Sequence, residues 1–156
     1  MRAPRSMLIM PANRADMLAK SASYGADAIV FDLEDAVPVA EKAKARELAR
    51  EYIERHRASA DVYVRINSVQ TGMLLDDLDA VAIAGVVGLR VAKCESPDDV
   101  RTIDALLTQF EAKRGLAPRA IELQISLESS KGVLFAHRIV ASSPRIRSVM
   151  CGTAQD

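Results

Sequence analysis

At 156 residues with about half of them apolar, the chain can bury one domain core, and its shortage of aromatics makes that core mostly Ala, Val, Ile and Leu. Lys plus Arg balances Asp plus Glu at 21 each, which argues against a nucleic-acid-binding domain, where a basic excess is expected. No run approaches the roughly 20 apolar residues of a membrane span, Met7 to Met10 is too short for a signal peptide, and Cys94 and Cys151 lack metal or disulfide spacing, so the expectation is a cytoplasmic protein with free thiols and no membrane or nucleic-acid partner.

In chain order, Met7 to Met10 reads as the first strand, ended by Pro11. Ala15 to Tyr24 has helical spacing, with Met17, Leu18 and Ser21 near one face and Gly25 as a stop. Ala28-Ile29-Val30-Phe31 is a short continuous apolar run, the mark of a parallel strand buried on both faces, and it ends in Asp32-Leu33-Glu34-Asp35. Val39 to Arg57 reads as a long helix with Ala43, Leu48, Tyr52 and Ile53 inward. Its Glu41, Lys42, Lys44 and Arg46 read as a solvated face, and His56 as surface. The third strand is Val62 to Val64, followed by Arg65-Ile66-Asn67, and Leu74 to Ile83 is the next helix. Val86 to Val91 is the fourth strand, ending in Lys93-Cys94-Glu95. Ser96-Pro97-Asp98-Asp99 opens a helix to about Arg114, because Ser caps well, Pro suits the first turn and acids suit the positive end. Ile121 to Leu127 is the fifth strand, ending at Glu128; Gly132 to Ala141 is a helix; Arg147 to Cys151 is the sixth strand.

Successive βα steps fit either a (β/α)8 barrel or an open doubly wound sheet. An open sheet concentrates chemistry at one or two crevices. Here polar residues follow every strand, which favours the TIM-type barrel, truncated after about six βα units because a complete one takes about 250 residues. The expectation is a single partial barrel domain over 1–156, lacking strands 7 and 8 and a C-terminal segment.

In such a barrel Asn13 and Arg14, the acids Asp32, Glu34 and Asp35, Arg65 and Asn67, Lys93 and Glu95, Glu128 and Asp156 converge on one mouth. Several carboxylates in one cleft repel unless a cation sits among them, and an all-oxygen set suits Mg2+. Arg65 offers a fork for a substrate carboxylate. Metal plus arginine beside a carbonyl is the arrangement that stabilises an enolate. Each acid taken alone is an ordinary cap or surface charge; Asp98 and Asp99 read as first-turn helix residues, and Lys93 as a partner of nearby carboxylates in preference to a Schiff-base lysine.

Six ordered motifs then carry a resemblance. Arg5-Ser6, Pro11-Ala12-Asn13-Arg14 and Gly25-Ala26-Asp27-Ala28 leading to Asp32-Leu33-Glu34-Asp35-Ala36-Val37 resemble the opening of the citrate lyase β-subunit family, in the HpcH/HpaI aldolase group of metal-dependent CoA-ester lyases. Val64-Arg65-Ile66-Asn67 resembles its arginine motif. Lys93-Cys94-Glu95-Ser96 resembles its Pro-Lys-x-Glu-Ser motif, with Ala92 in place of proline, and Leu127-Glu128-Ser129-Ser130-Lys131-Gly132-Val133 its glutamate motif. The resemblance implies a TIM barrel, Mg2+ and retro-Claisen cleavage of a β-hydroxyacyl-CoA such as citryl-, malyl- or citramalyl-CoA. It implies metal ligands at Glu128 and Asp156, with Glu128 and Arg65 catalytic and substrate-binding. Arg14 is implied as a CoA-phosphate contact, and Asp32, Glu34, Asp35, Lys93 and Glu95 as supports behind them.

Two departures stand out. The family's Gly-x-x-Asp after strand 6 is one residue longer here, so strict counting puts Gln155 at the ligand position and a one-residue loop shift restores Asp156. The expectation from the resemblance is also that the segment which in relatives gives a catalytic acid to a neighbouring subunit and covers the CoA is missing here. The partners expected are acyl-CoA and keto-acid molecules and further copies in a homo-oligomer, because open strand edges invite association. A lyase with little activity of its own is the leading reading. The alternatives are a non-catalytic binding or assembly subunit, an inactive fragment of such a lyase, and an aldolase acting on a free keto acid.

Overall fold

The computed structural model describes residues 4–56 and 61–152. Six parallel strands, β1 (Met7–Pro11), β2 (Ala28–Asp32), β3 (Asp61–Ile66), β4 (Val86–Val91), β5 (Glu122–Leu127) and β6 (Ile146–Cys151), pair strictly in chain order. A doubly wound sheet reverses its order at a switch point, and a barrel does not. This sheet shows no reversal, so it is the barrel-type alternative that the chain adopts.

Because strand side chains alternate, the sheet has two distinct faces. On the outer face, Phe31, Val64, Leu89 and Leu123 stand side by side in register and are buried. Helices α1 (Ala15–Lys20), α2 (Lys42–Arg55), α3 (Leu74–Val81), α4 (Pro97–Lys113), α5 (Ser130–Leu134) and α6 (Ala136–Val140) form the outer layer of that core. Tyr52 of α2 meets the Phe31 ring edge-on at 4.8 Å between centroids. The inner face is small and apolar at its base, where Ala28, Val30 and Tyr63 cluster with Met7. Gly88 makes room there: a Cβ on it would lie 3.0 Å from the Tyr63 ring and 2.8 Å from the Glu122 carbonyl oxygen. Met7 Sδ lies 3.3 Å from Nη2 of Arg90 and 3.7 Å from Nε2 of Gln124, so β1 reaches residues of β4 and β5 across the interior. The sheet is therefore curled, as barrel geometry requires.

Helix α4 starts as its sequence predicts. Ser96 Oγ accepts from the Asp99 amide, and the Asp99 carboxylate returns the bond to the Ser96 amide, a complete capping box with Pro97 in the first turn. Other boundaries differ. The helix predicted over Ala15 to Tyr24 is an α-helix only to Lys20 and a 3-10 turn from Ser21, whose Oγ bonds the Tyr52 hydroxyl at 2.7 Å. Val39 to Glu41 is likewise a 3-10 turn before α2, and Arg57 lies outside the described residues. The inner stripe of α2 is Ala45, Ala49, Tyr52 and Ile53, while Ala43 is exposed. The helix predicted over Gly132 to Ala141 is two short ones broken at Phe135. His56 stacks on Tyr52 with ring centroids 4.1 Å apart, so it is a packed side chain at the end of α2.

Candidate active site at the mouth of the barrel

The carboxyl ends of the strands carry the predicted cluster, and its centre is the pair formed by β2 and β3. Asp32 and Arg65 are register partners on the inner face. Arg65 donates from Nε and Nη2 to the two Asp32 carboxylate oxygens at 2.7 and 2.6 Å, a bidentate fork. The same Asp32 oxygens accept the backbone N–H groups of Glu34 and Ala36 at 2.8 and 2.9 Å. One fully buried carboxylate thus orders both the guanidinium and the turn that follows β2. Burial opposes the charge on Arg65, and Asp32 outweighs it, holding the guanidinium protonated.

Glu34 is buried as well, with Oε1 2.7 Å from Lys93 Nζ and Oε2 3.3 Å from Arg65 Nη1. That second approach is not a hydrogen bond, and Oε2 has no hydrogen-bond partner among the described residues. Burial raises the Glu34 pKa above the usual carboxylate range. Asp35, more exposed, also accepts from Lys93 at 2.8 Å; burial opposes its ionisation and Lys93 outweighs that, so its pKa falls. Lys93 is thus the carboxylate partner predicted for it, raised by Asp35 and Glu34. It sits at a φ of 50°, a left-handed backbone unusual for a residue with a Cβ.

Glu128 follows β5 and is half-buried. Among the described residues it makes no hydrogen bond or ion pair; Arg90 feels its charge at longer range. An uncommitted carboxylate at the end of β5, with a buried, orphaned Glu34 oxygen following β2 at the same end of the sheet, offers oxygen donors of the kind a hard cation takes, which needs only one or two carboxylates and fills the rest with water and substrate. The residues present therefore fit Mg2+. No group of three or more His, Cys, Asp or Glu side chains among the described residues is placed to hold a metal ion by itself, and Gln155 and Asp156 lie outside them.

Glu95 and Arg14 are not drawn into this centre. Glu95 accepts from Ser129 Oγ at 2.8 Å and pairs with Lys131 at 3.2 Å, tying the loop after β4 to the start of α5. Gly132 permits that approach, since a Cβ there would lie 2.7 Å from the Cys94 carbonyl oxygen. Arg14 is exposed and pairs with Asp16, open to the solvent side of the first loop. Both cysteines are free; Cys94 is buried, which pushes its thiol to about 11, and Cys151 is exposed.

Two interior residues escaped the sequence reading. Arg90 and Gln124 continue the register row of Asp32 and Arg65 across β4 and β5. Arg90 donates from Nε and Nη2 to Gln124 Oε1 at 3.2 and 3.1 Å, and among the described residues it has no ion-pair partner. Burial and the neighbouring Arg65 lower its pKa. They were legible as the polar members of the alternations Leu89-Arg90-Val91 and Leu123-Gln124-Ile125-Ser126. Lys42 departs from the expected solvated face. It is buried beneath the acidic turn and does not belong to a solvated face; Arg46 is partly buried and pairs with Asp77 at 2.8 Å.

The barrel-type sheet thus carries a bidentate Arg–Asp pair, an uncommitted glutamate and a lysine-bound acidic turn at the carboxyl ends of its strands. Comparisons with known proteins show the family to which such a sheet belongs here. The HpcH/HpaI aldolase/citrate lyase family model matches residues 5–156, and the chain belongs to that family. It is 35% identical over 153 residues to the citrate lyase subunit beta of Haemophilus influenzae, covering 97% of this chain and 53% of that protein. It is 32% identical to the L-malyl-CoA/beta-methylmalyl-CoA lyase of Rhodobacter capsulatus, covering 96% of this chain and 48% of that one. Among solved structures it resembles CitE from Mycobacterium tuberculosis in complex with magnesium, acetoacetate and coenzyme A, with a TM-score of 0.72 and 30% identity over 97% of this chain and 50% of that one. The chain spans about half the length of the curated relatives it matches. No helix among the described residues is long and apolar enough to cross a membrane.

Proposed function

We propose that this chain carries the metal and keto-acid half of a CoA-ester lyase that cleaves a β-hydroxyacyl-CoA of the citryl-, malyl- or citramalyl-CoA type. The observation that carries the reading is Glu128: a half-buried carboxylate with no hydrogen bond or ion pair among the described residues, at the same mouth as the Asp32–Arg65 fork. The magnesium and keto-acid ligands of the M. tuberculosis structures support it.

In this reading Glu128 holds Mg2+ together with Asp156. When bound, the ion supplies Lewis-acid polarisation of the substrate's α-oxygen. Arg65, kept charged and oriented by Asp32, offers its remaining N–H groups to the keto-acid carboxylate. Glu34, Asp35 and Lys93 set the charge beside that carboxylate, and Arg14 on the first loop faces a CoA phosphate. In the cleavage the carbinol hydroxyl loses its proton and becomes the keto group. The carbon–carbon bond electrons pass to the thioester as an enolate, which is then protonated. The six described strands form part of a barrel, and the protein works within a homo-oligomer.

Calorimetric titration with oxaloacetate, with and without Mg2+, tests the reading. Binding that requires Mg2+ and is lost in Glu128→Gln is expected; Mg2+-independent binding, or none, overturns it. The second reading is a keto-acid-binding or assembly subunit without turnover. Binding without release of acyl-CoA products from malyl-CoA or citryl-CoA supports that one, and steady turnover by the purified chain excludes it.

A further inference from the structure

The acidic turn after β2 poses a physical problem. Asp32, Glu34 and Asp35 place three carboxylates within four residues, and like charges so close push the turn apart. From the mouth side, Lys93 and Arg65 bind the side chains. From the helix side, Lys42 binds something else. Its Nζ donates to the backbone carbonyl oxygens of Leu33 and Glu34 at 2.5 and 2.7 Å, and to Asn67 Oδ1 at 2.9 Å.

All three ammonium donors are therefore used, and none goes to a carboxylate. A lysine paired with Asp32 or Glu34 would neutralise the groups that face the mouth. One bound to carbonyls brings a positive charge under the turn and leaves those groups to Arg65 and Lys93. Asn67 closes the arrangement: its Nδ2 donates to the Leu33 carbonyl at 3.0 Å and to Asp77 Oδ2 at 2.8 Å, and Asp77 is held by Arg46 of α2. Lys42, Asn67 and Asp77 are all buried. The turn is thus bolted to α2, α3 and the end of β3 through its backbone.

We infer that Lys42 is a positioning residue for the mouth: by holding the carbonyls of Leu33 and Glu34 it fixes the turn that places Asp32, and through Asp32 it sets the direction of the Arg65 guanidinium. The link is geometric. The Asp32 carboxylate is oriented by the Glu34 and Ala36 amides; the Glu34 N–H lies in the same planar peptide as the Leu33 carbonyl that Lys42 grips, and the Ala36 N–H is one residue past the peptide of the gripped Glu34 carbonyl. The consequence for substrate rests on the lyase reading; the geometric claim does not.

The test uses no ligand, so its failure and the failure of the lyase reading are separable. In the full chain, the Nε–H of Arg65 bonded to Asp32 and the Nε–H of Arg145 bonded to Asp104 lie in separate clusters, and as buried, hydrogen-bonded arginine protons both should exchange slowly enough to follow by NMR. Lys42→Met removes the ammonium while keeping the stem. The expected result is exchange of the Arg65 proton faster by about tenfold or more, with Arg145 unchanged. Equal acceleration at both sites means a general loss of stability and overturns the inference, as does an unchanged Arg65. If Lys42→Met does not fold, Asn67→Ala decides: it removes one of the three acceptors and one Leu33 bond, and a selective, smaller acceleration at Arg65 is expected. Loss at both arginines, or at neither, overturns the inference there too.

Discussion

Two buried arginines with two carboxylates each divide this molecule. Arg145, just before β6, donates to Asp104, to both Glu111 oxygens, to Thr108 Oγ1 and to the Ile121 carbonyl. Glu111 also accepts the Arg119 and Ile121 amides, and Asp104 accepts from Ser143. Every charge there is answered. At the mouth, Arg65 is answered by Asp32, yet Glu34 keeps an orphaned oxygen and Glu128 stands alone among the described residues. The difference lies in satisfaction, since both arginines are more than four-fifths buried. A closed network stabilises; an open one leaves valences for something not in the chain.

The largest expected effect breaks the closed side. Arg145→Met leaves Glu111 and Asp104 without their cation and should cost about 3–5 kcal/mol in urea unfolding. On the open side, Arg65→Lys keeps the charge and loses the fork. It should cost about 1.5–3 kcal/mol, the scale of a charge-assisted hydrogen bond, and weaken Mg2+-dependent oxaloacetate binding by about tenfold or more in calorimetry. Glu128→Gln should abolish Mg2+ binding with unfolding free energy within about 0.5 kcal/mol of the parent, because no contact is lost. A stability change as large as that of Arg145→Met would erase the distinction between the two clusters.

The smallest effect is one of sign. Glu34 has a raised pKa through burial, so the folded state binds its proton more tightly than the unfolded chain does. Its contribution to stability is present below the unfolded value and lost as pH rises through the folded one. Glu111 and Asp104 are lowered: burial opposes, and their hydrogen bonds to Arg145 and its neighbours prevail. Their contribution is present above the unfolded values and lost as pH falls. Glu34→Gln should therefore stabilise the protein more at pH 7 than at pH 4, and Glu111→Gln should flatten the acid side of the stability profile. Parallel profiles for the two variants would contradict the contrast.

Much of this was legible in the residues. The strand ends were, because abrupt switches from apolar runs to charge, as at Phe31-Asp32 or Leu127-Glu128, mark where a buried strand meets a wet loop. Lys93 as a carboxylate partner and the Ser96 cap followed from local chemistry. Lys42 and Arg46 did not, since a charged helix position gives no hint that a turn nine residues back will present carbonyls to it. Arg90 and Gln124 lie inside β4 and β5, where only the polar members of an alternation, and no switch to charge at a strand end, mark them. The helix break at Phe135 depends on packing, and no Pro or Gly announces it at that point. Of the two proposed metal ligands, Glu128 is among the described residues and Asp156 is not.

The sulfur of Met7 touches Arg90 and Gln124, partners 83 and 117 residues away. A ribosome delivers the first strand long before it delivers the side chains that close over it. β1 can pair with β2 early, yet the curl of the sheet waits for β5. Contacts of such long sequence separation slow folding and expose unpaired strand in the interval. Pulsed hydrogen exchange during refolding should find the β1 amides protected no earlier than those of β5, whatever their place in the order of synthesis.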